Sequence, residues 1–179
     1  IIEDRNCEEW TISNNITMED VLLTDFIPLS HKLFNGDIFT YDGTVFKLIH
    51  SCTKSVNYFS GVLVLEKNKS YGKYKDKHLY KCFPDDKRIP CFLIPYEIKN
   101  IGFSKIYKNK YITFGYHHWD HKHPYGKILQ VIGDVDKLEN FYEYQLYCKS
   151  LNASIQGFTR ATSQALKLRS REEFIDLVF

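Results

Sequence analysis

The sequence predicts a mainly β protein, built of small β-barrels and followed by a short helical segment. Three observations lead to that class. Apolar and polar residues alternate through short runs that Gly, Asp and Pro interrupt, at roughly the 8–12-residue spacing of small sandwiches and barrels. Asp42-Gly43 separates two β-branched and aromatic runs in DIFTYDGTVFKLIH, a strong hairpin signal. From Leu138 onward the apolar period changes from that of a strand to that of a helix.

The elements follow in order. Asp37 to His50 reads as a hairpin turned by Asp42-Gly43. FSGVLVLEKNKSYGKYKDKHLYKCF, from Phe59, alternates similarly with Gly61 and Gly72 as punctuation. IPCFLIPYEI carries Pro90 and Pro95, and a residue without an N–H suits an edge or a strand end rather than a sheet centre. KYITFGYHHW and GKILQVIGDV complete the strand set. Leu138 to Leu151 places Leu138, Phe141, Tyr142 and Leu146 on one helical face, with Asp136 and Glu139 spaced as a capping box. Ser170 and Glu173 repeat that spacing before a second short helix, REEFIDLVF.

Composition narrows the classes. A hydrophobic content of 44% with 16% aromatics supplies a packed core and excludes disorder as the main state. No apolar run reaches the ~18 residues of a membrane helix. The opening IIEDRNCEEW is acidic where a signal peptide is basic, and it lacks a starting Met, as an internal piece of a longer protein or a processed chain would. Cys7, Cys52, Cys82, Cys91 and Cys148 are odd in number and form no C-x-x-C pair. They read as reduced, mostly buried thiols of a cytoplasmic protein. The net charge of +2 conceals segregation. Ile1 to Phe26 holds Glu3, Asp4, Glu8, Glu9, Glu19, Asp20 and Asp25 against Arg5. Lys67, Lys69, Lys73, Lys75, Lys77 and Lys81 face only Asp76. Lys105, Lys108, Lys110, Lys122 and Lys127 form a second basic stretch. Local stripes of this kind are the footprint of nucleic-acid binding.

HHWDHKHPYG, from His117 to Gly126, concentrates four histidines around Trp119. His117 and His121 would share a helical face, but Pro124, Gly126 and the preceding KYITFGY indicate a strand running into a turn. No acidic or cysteine ligand nearby completes a tetrahedral set, so no metal site is expected. No carboxylate dyad or nucleophile motif accompanies the histidines either.

W-x4-P-x-G-x-I-x-x-V-I-G-D-V from Trp119 to Val135, together with FPDDKRIPCFLI from Phe83 to Ile94, resembles the second cold-shock-like OB domain of the RNase II/RNase R exoribonuclease family, whose eukaryotic members include exosome nucleases. Phe34-Asn35-Gly36-Asp37-Ile38 looks like the His/Asn-Gly-Asp-Val element of the preceding OB domain in that family. The resemblance runs roughly from His31 to the end and implies two OB barrels. Its domains are a first one over residues 1–81, a second over 82–136, and a helical linker over 137–179 leading into a catalytic RNB-type domain beyond Phe179. The Mg²⁺-binding carboxylates of the family would lie there. Asp85-Asp86 sits in a basic surround and Glu172-Glu173 in a helix cap, so neither is expected to replace that cluster, and this chain alone is expected to be inactive.

What such barrels do is grip single strands with a basic groove and aromatic platforms. The expected role is binding single-stranded RNA and guiding it to a 3′-to-5′ hydrolytic exoribonuclease centre. The candidate RNA contacts are Lys67, Lys69, Tyr71, Lys73, Tyr74, Lys75, Lys77, Lys110, Tyr111, Tyr116, His117, Trp119 and Lys122. Alternation separates the aromatics into two faces without saying which one packs the core. Arg88 is expected to pair with Asp85 or Asp86. The aromatic stripe Phe141, Tyr142, Tyr144 and Tyr147 is expected to dock the OB units against the catalytic domain. Two other readings stay open: a free-standing OB-fold RNA-binding protein, and an OB protein-interaction module.

Overall fold

Alternation along Lys77–Pro84 and Phe92–Tyr96 decides what fills the centre of the molecule. Residues 1–66, 69–98, 107–151 and 161–165 of the computed structural model are described. Eight strands form: β1 (Ile38–Tyr41), β2 (Phe46–His50), β3 (Phe59–Leu63), β4 (Lys73–Tyr74), β5 (Lys77–Pro84), β6 (Phe92–Tyr96), β7 (Lys110–His118) and β8 (Tyr125–Asp134). The helices α1 (Cys52–Ser55) and α2 (Leu138–Cys148) accompany them. Along β5 and β6, Tyr80, Cys82, Phe92 and Ile94 point inward, joining Phe59, Leu63, Ile112 and Phe114 in one core.

The sheet closes on itself. β3 pairs antiparallel with both β5 and β7, β7 with β8, and β5 with β6, while β6 and β8 run parallel through Leu93 and Tyr125. Taken in chain order, the five barrel strands neighbour one another as 1-2-3-5-4-1, which is the OB arrangement, a five-stranded Greek-key barrel. The narrow interior leaves no room for side chains at two crossings. A Cβ on Gly61 would lie 2.8 Å from the Phe83 carbonyl oxygen, and one on Gly126 would lie 2.9 Å from the Phe114 ring. Pro95 lies past the Leu93–Tyr125 bridge, where β6 pairs with β5 alone, so its missing N–H is tolerated.

The fold is mainly β, as the sequence predicts, but its division differs from the expected one. A boundary at 81/82 would cut through β5, because the second barrel begins at Phe59 rather than at Cys82. Local alternation identifies a strand without saying which sheet it joins, and β3 joins through partners far along the chain. The described residues before Phe59 do not form a first barrel. They form the β1–β2 hairpin, α1 and a looped arm. The hairpin is turned where expected: Asp42 accepts hydrogen bonds from the Thr44 and Val45 N–H groups, which hold its carboxyl below the usual carboxylate range. Gly43, at φ 98, takes the left-handed position that favours glycine.

The arm is tied to the barrel by Arg5 and Phe34, and by Lys32, which donates from Nζ to the Asp120 carbonyl at 2.9 Å. Arg5 donates from Nη2 to the Pro84 carbonyl at 2.7 Å and from Nε to that of Ile89 at 3.3 Å, with its guanidinium over the Phe83 ring. Phe34 enters the barrel core, 4.8 Å from the Trp119 ring and stacked at 6.1 Å on Phe92. Asp37 holds the Asn-Gly-Asp turn by accepting from the Phe34 N–H and the Ser51 hydroxyl. Burial pushes its carboxyl pKa up against those hydrogen bonds.

Helix α2 lies against β3, β7 and β8 by a different face from the expected one. Asn140, Glu143, Tyr144 and Tyr147 are its buried residues, whereas Leu138, Phe141 and Tyr142 are exposed. The reason is polar complementarity beneath it. Tyr147 donates to Gln130 Oε1 at 2.9 Å, Gln130 to Glu143 at 3.4 Å, and Tyr144 to Asp85 at 3.4 Å. The expected capping box is absent: Lys137 is the N-cap residue with no side-chain cap bond, and the Asp136 carboxylate pairs with Lys108 instead. Residues 161–165 are helical. The second short helix expected after Ser170 lies outside the described residues.

Replacing Gly61 with Ala should force β3 away from β5, since the nearest obstacle is backbone. The expected cost is about 1–3 kcal/mol. Urea unfolding should show a lower midpoint at an unchanged m-value.

Candidate nucleic-acid interface

In an OB barrel the outward face of the second and third strands, with the loops joining strands 1–2 and 4–5, takes oligonucleotides. Here those strands are β5 and β6. The first loop is residues 64–76, which includes β4, and the second is residues 119–124. The lysine stripe therefore falls on one ligand loop and the histidine cluster on the other.

Lys73, Lys75 and Lys77 are exposed around the tight β4–β5 turn. Lys75, at φ 53, occupies its left-handed position and carries Nζ 5.7 Å from the Tyr74 ring centre. Lys69 and Lys81 both lie over the Tyr71 ring, at 5.4 and 4.8 Å. Each such pair contributes roughly 0.5–1 kcal/mol at an exposed site and leaves the ammonium accessible. Lys67 lies outside the described residues.

Tyr74 connects the two loops. Its hydroxyl is 3.4 Å from His117 Nε2, and its ring is 5.7 Å from both His118 and Tyr125. His118 stacks on Tyr125 at 4.6 Å and 18°. The result is a surface set of four rings, with Lys73 and Lys75 on either side of Tyr74 in the chain. His118 and Tyr125 were not among the expected contacts. The signal for them was their register: they are cross-strand partners where β7 hands over to β8, and that pairing is invisible without the sheet.

The four histidines do not converge. His117 meets Tyr74, His118 stacks on Tyr125 with Asp120 at 3.7 Å, and His121 is exposed. His123 Nδ1 lies 3.4 Å from Cys91 Sγ. Among the described residues no group of three or more His, Cys, Asp or Glu side chains is placed to hold a metal.

Other expected contacts are buried or half-buried against the protein's own residues. Trp119 is 5% exposed and packs on Phe34, because β7 ends by turning its last aromatic under the barrel rim. Tyr111 stacks on Tyr144 at 4.3 Å and is covered by α2. Tyr116 packs against the core edge-on to Phe34, with Lys54 over its ring. Lys110 is tied to Asp134 at 2.6 Å across the β7–β8 ladder. Among the acidic residues, Asp86 receives both Nε and Nη2 of Arg88, which holds its carboxyl below the usual range. Asp85 takes the Tyr144 hydroxyl instead.

Residues 79–144 match the family model described as the Dis3-like cold-shock domain 2 (CSD2). That stretch runs from β5 through the first half of α2 and takes in four of the five barrel strands, so the match and the OB topology agree. No curated protein matches the chain.

Two expectations follow from these placements. Trp119→Ala should cost about 3–5 kcal/mol as a core truncation, seen as an early melting transition rather than as selective loss of a ligand contact. His123 has its pKa lowered by burial and then by Lys81 and Lys122. As pH falls through the ordinary imidazole range near 6.5, the unfolded chain therefore takes up this proton before the folded one does. Stability should drop with acidification there, and His123→Gln should flatten that part of the profile in urea melts between about pH 5 and 7.5.

Proposed function

We propose that this chain is the single-stranded RNA-binding and guiding module of an RNase II/R-type 3′-to-5′ hydrolytic exoribonuclease. One observation carries the reading. The two ligand loops of the OB barrel bring together the ring set Tyr74, His117, His118 and Tyr125, with Lys73, Lys75 and Lys77 exposed beside Tyr74 on one loop and Lys122 exposed on the other. Ammonium groups supply the sequence-independent attraction to phosphates, and the rings offer π faces to unstacked bases. A duplex keeps its bases stacked and withholds that second interaction.

In this reading the bond-breaking chemistry belongs to a partner RNB-type domain of the parent chain, with Mg²⁺ held by carboxylates there. The outward residues of α2, Leu138, Phe141 and Tyr142, are the part of that helix left to meet it. A cytoplasmic site of action agrees with five free cysteines. No described helix is long and apolar enough to cross a membrane.

Fluorescence anisotropy of a labelled single-stranded RNA of about 20 nucleotides, over a salt series, tests the proposal. Single-stranded RNA should bind with a steep salt slope and more tightly than a duplex of equal length. Each phosphate contact on a single strand contributes about 0.7 to the slope of log K against log salt. Replacing Lys73, Lys75 and Lys77 together by Ala should therefore reduce the slope by about 2. Absence of binding at low salt by the folded chain would overturn the proposal and favour a protein-interaction role.

A further inference from the structure

Two leucines on the outside of the barrel are buried. Tyr80, Cys82, Phe92 and Ile94 belong to the core, so alternation turns Leu79 and Leu93 outward. Yet they are 2% and 8% exposed. They sit on β5 and β6, the strands whose outward face takes the ligand in an OB barrel.

The chain's own first loop is bonded to Leu79 and approaches its side chain. The Tyr71 N–H donates to the Leu79 carbonyl at 2.8 Å, and the Leu79 N–H donates to the Gly72 carbonyl at 2.9 Å. Gly72, at φ 108, lies against the Leu79 side chain. From that bend β4 carries Tyr74 across to the rings of His117, His118 and Tyr125 at the far side of the face. Tyr125 is the register partner of Leu93, so Tyr74 ends beside the second leucine's strand neighbour.

We propose that residues 71–75 form a strap, latched by Tyr74, that closes the β5–β6 face and peels away when single-stranded RNA occupies it. This rests on the RNA-binding reading above and adds a conformational step to it. The fastening is light. β4 contributes only two residues of pairing to β5, and the Tyr74–His117 contact is exposed. The tip is cationic through Lys73, Lys75 and Lys77, so an arriving phosphate chain attracts the strap itself. Once the strap is lifted, Leu79 offers an apolar floor to bases, beside the freed rings of His118 and Tyr125.

Amide hydrogen exchange followed by NMR distinguishes a strap from a fixed binding surface, because a fixed surface gains protection when covered. With a saturating single-stranded 20-mer oligouridine, the Tyr71 and Leu79 amides should exchange at least tenfold faster than in the free protein, while core amides of β7 stay unchanged. Slower or unchanged exchange at Tyr71 and Leu79 in the RNA-bound protein would overturn the strap. Tyr74→Ala tests the latch without RNA: exchange at Leu79 should rise several-fold with the melting temperature nearly unchanged, and no rise would overturn it. Failure of the oligonucleotide to bind at all would count against the RNA-binding reading, and the Tyr74→Ala arm still decides the latch.

Discussion

Closure of the barrel through β3 is the constraint on which the rest depends. A strand of only five residues pairs with β5 on one side and β7 on the other. Without it the sheet would be open, and Phe114, Phe92 and Ile112, all fully buried, would lose one wall. Burying each such side chain contributes about 1.5–3 kcal/mol, so the ring outweighs any single surface contact in the molecule. Closure also sets the positions of function, because it brings the two ligand loops together at the Tyr74 ring. The interior it creates is narrow enough to require glycine where Gly61 and Gly126 cross their neighbours.

The same closure explains which features were legible in the sequence. The Asp42-Gly43 hairpin, the alternating runs and the helix after Leu138 are local patterns, and each element forms where its pattern lies. The family resemblance rested on Phe83 to Ile94 and on Trp119 to Val135, and both stretches fall inside the Dis3-like match. The boundary at 81/82 was not legible, because β3 belongs to the barrel only through partners some twenty and fifty positions away. A sequence pattern of period two says that a strand has two faces, not which partner each edge will find.

The candidate site was half legible for a related reason. Lysines are costly to bury, so Lys73, Lys75 and Lys77 could be assigned to the surface from composition alone. Aromatic residues suit the core and the surface equally, and here they divide. Tyr74 and Tyr125 stay at the loops, whereas Trp119 and Tyr111 go under the barrel rim and under α2. The helix shows the same ambiguity. Its most apolar residues, Leu138 and Phe141, are exposed while Glu143 and Tyr144 turn inward. The barrel presents Gln130 and Asp85 beneath it, and polar partners there select polar side chains over leucine.

Energetic ordering then separates the permanent parts of the structure from the movable ones. The N-terminal arm is held by an Arg5 guanidinium on two backbone carbonyls and by Phe34 within the core. A charged hydrogen bond contributes about 1.5–3 kcal/mol, and a buried Phe about as much, so the arm is a structural part of the barrel. The 71–75 segment has partly exposed ring contacts of about 0.5–1.5 kcal/mol each, two backbone bonds to Leu79 and a two-residue pairing with β5. Segments so lightly fastened open far below the global unfolding free energy. A ligand that gains several phosphate contacts can therefore displace this loop while leaving the five-stranded ring closed. Arm and loop cover different parts of the same barrel, and the strength of their fastening assigns one to the scaffold and the other to the binding face.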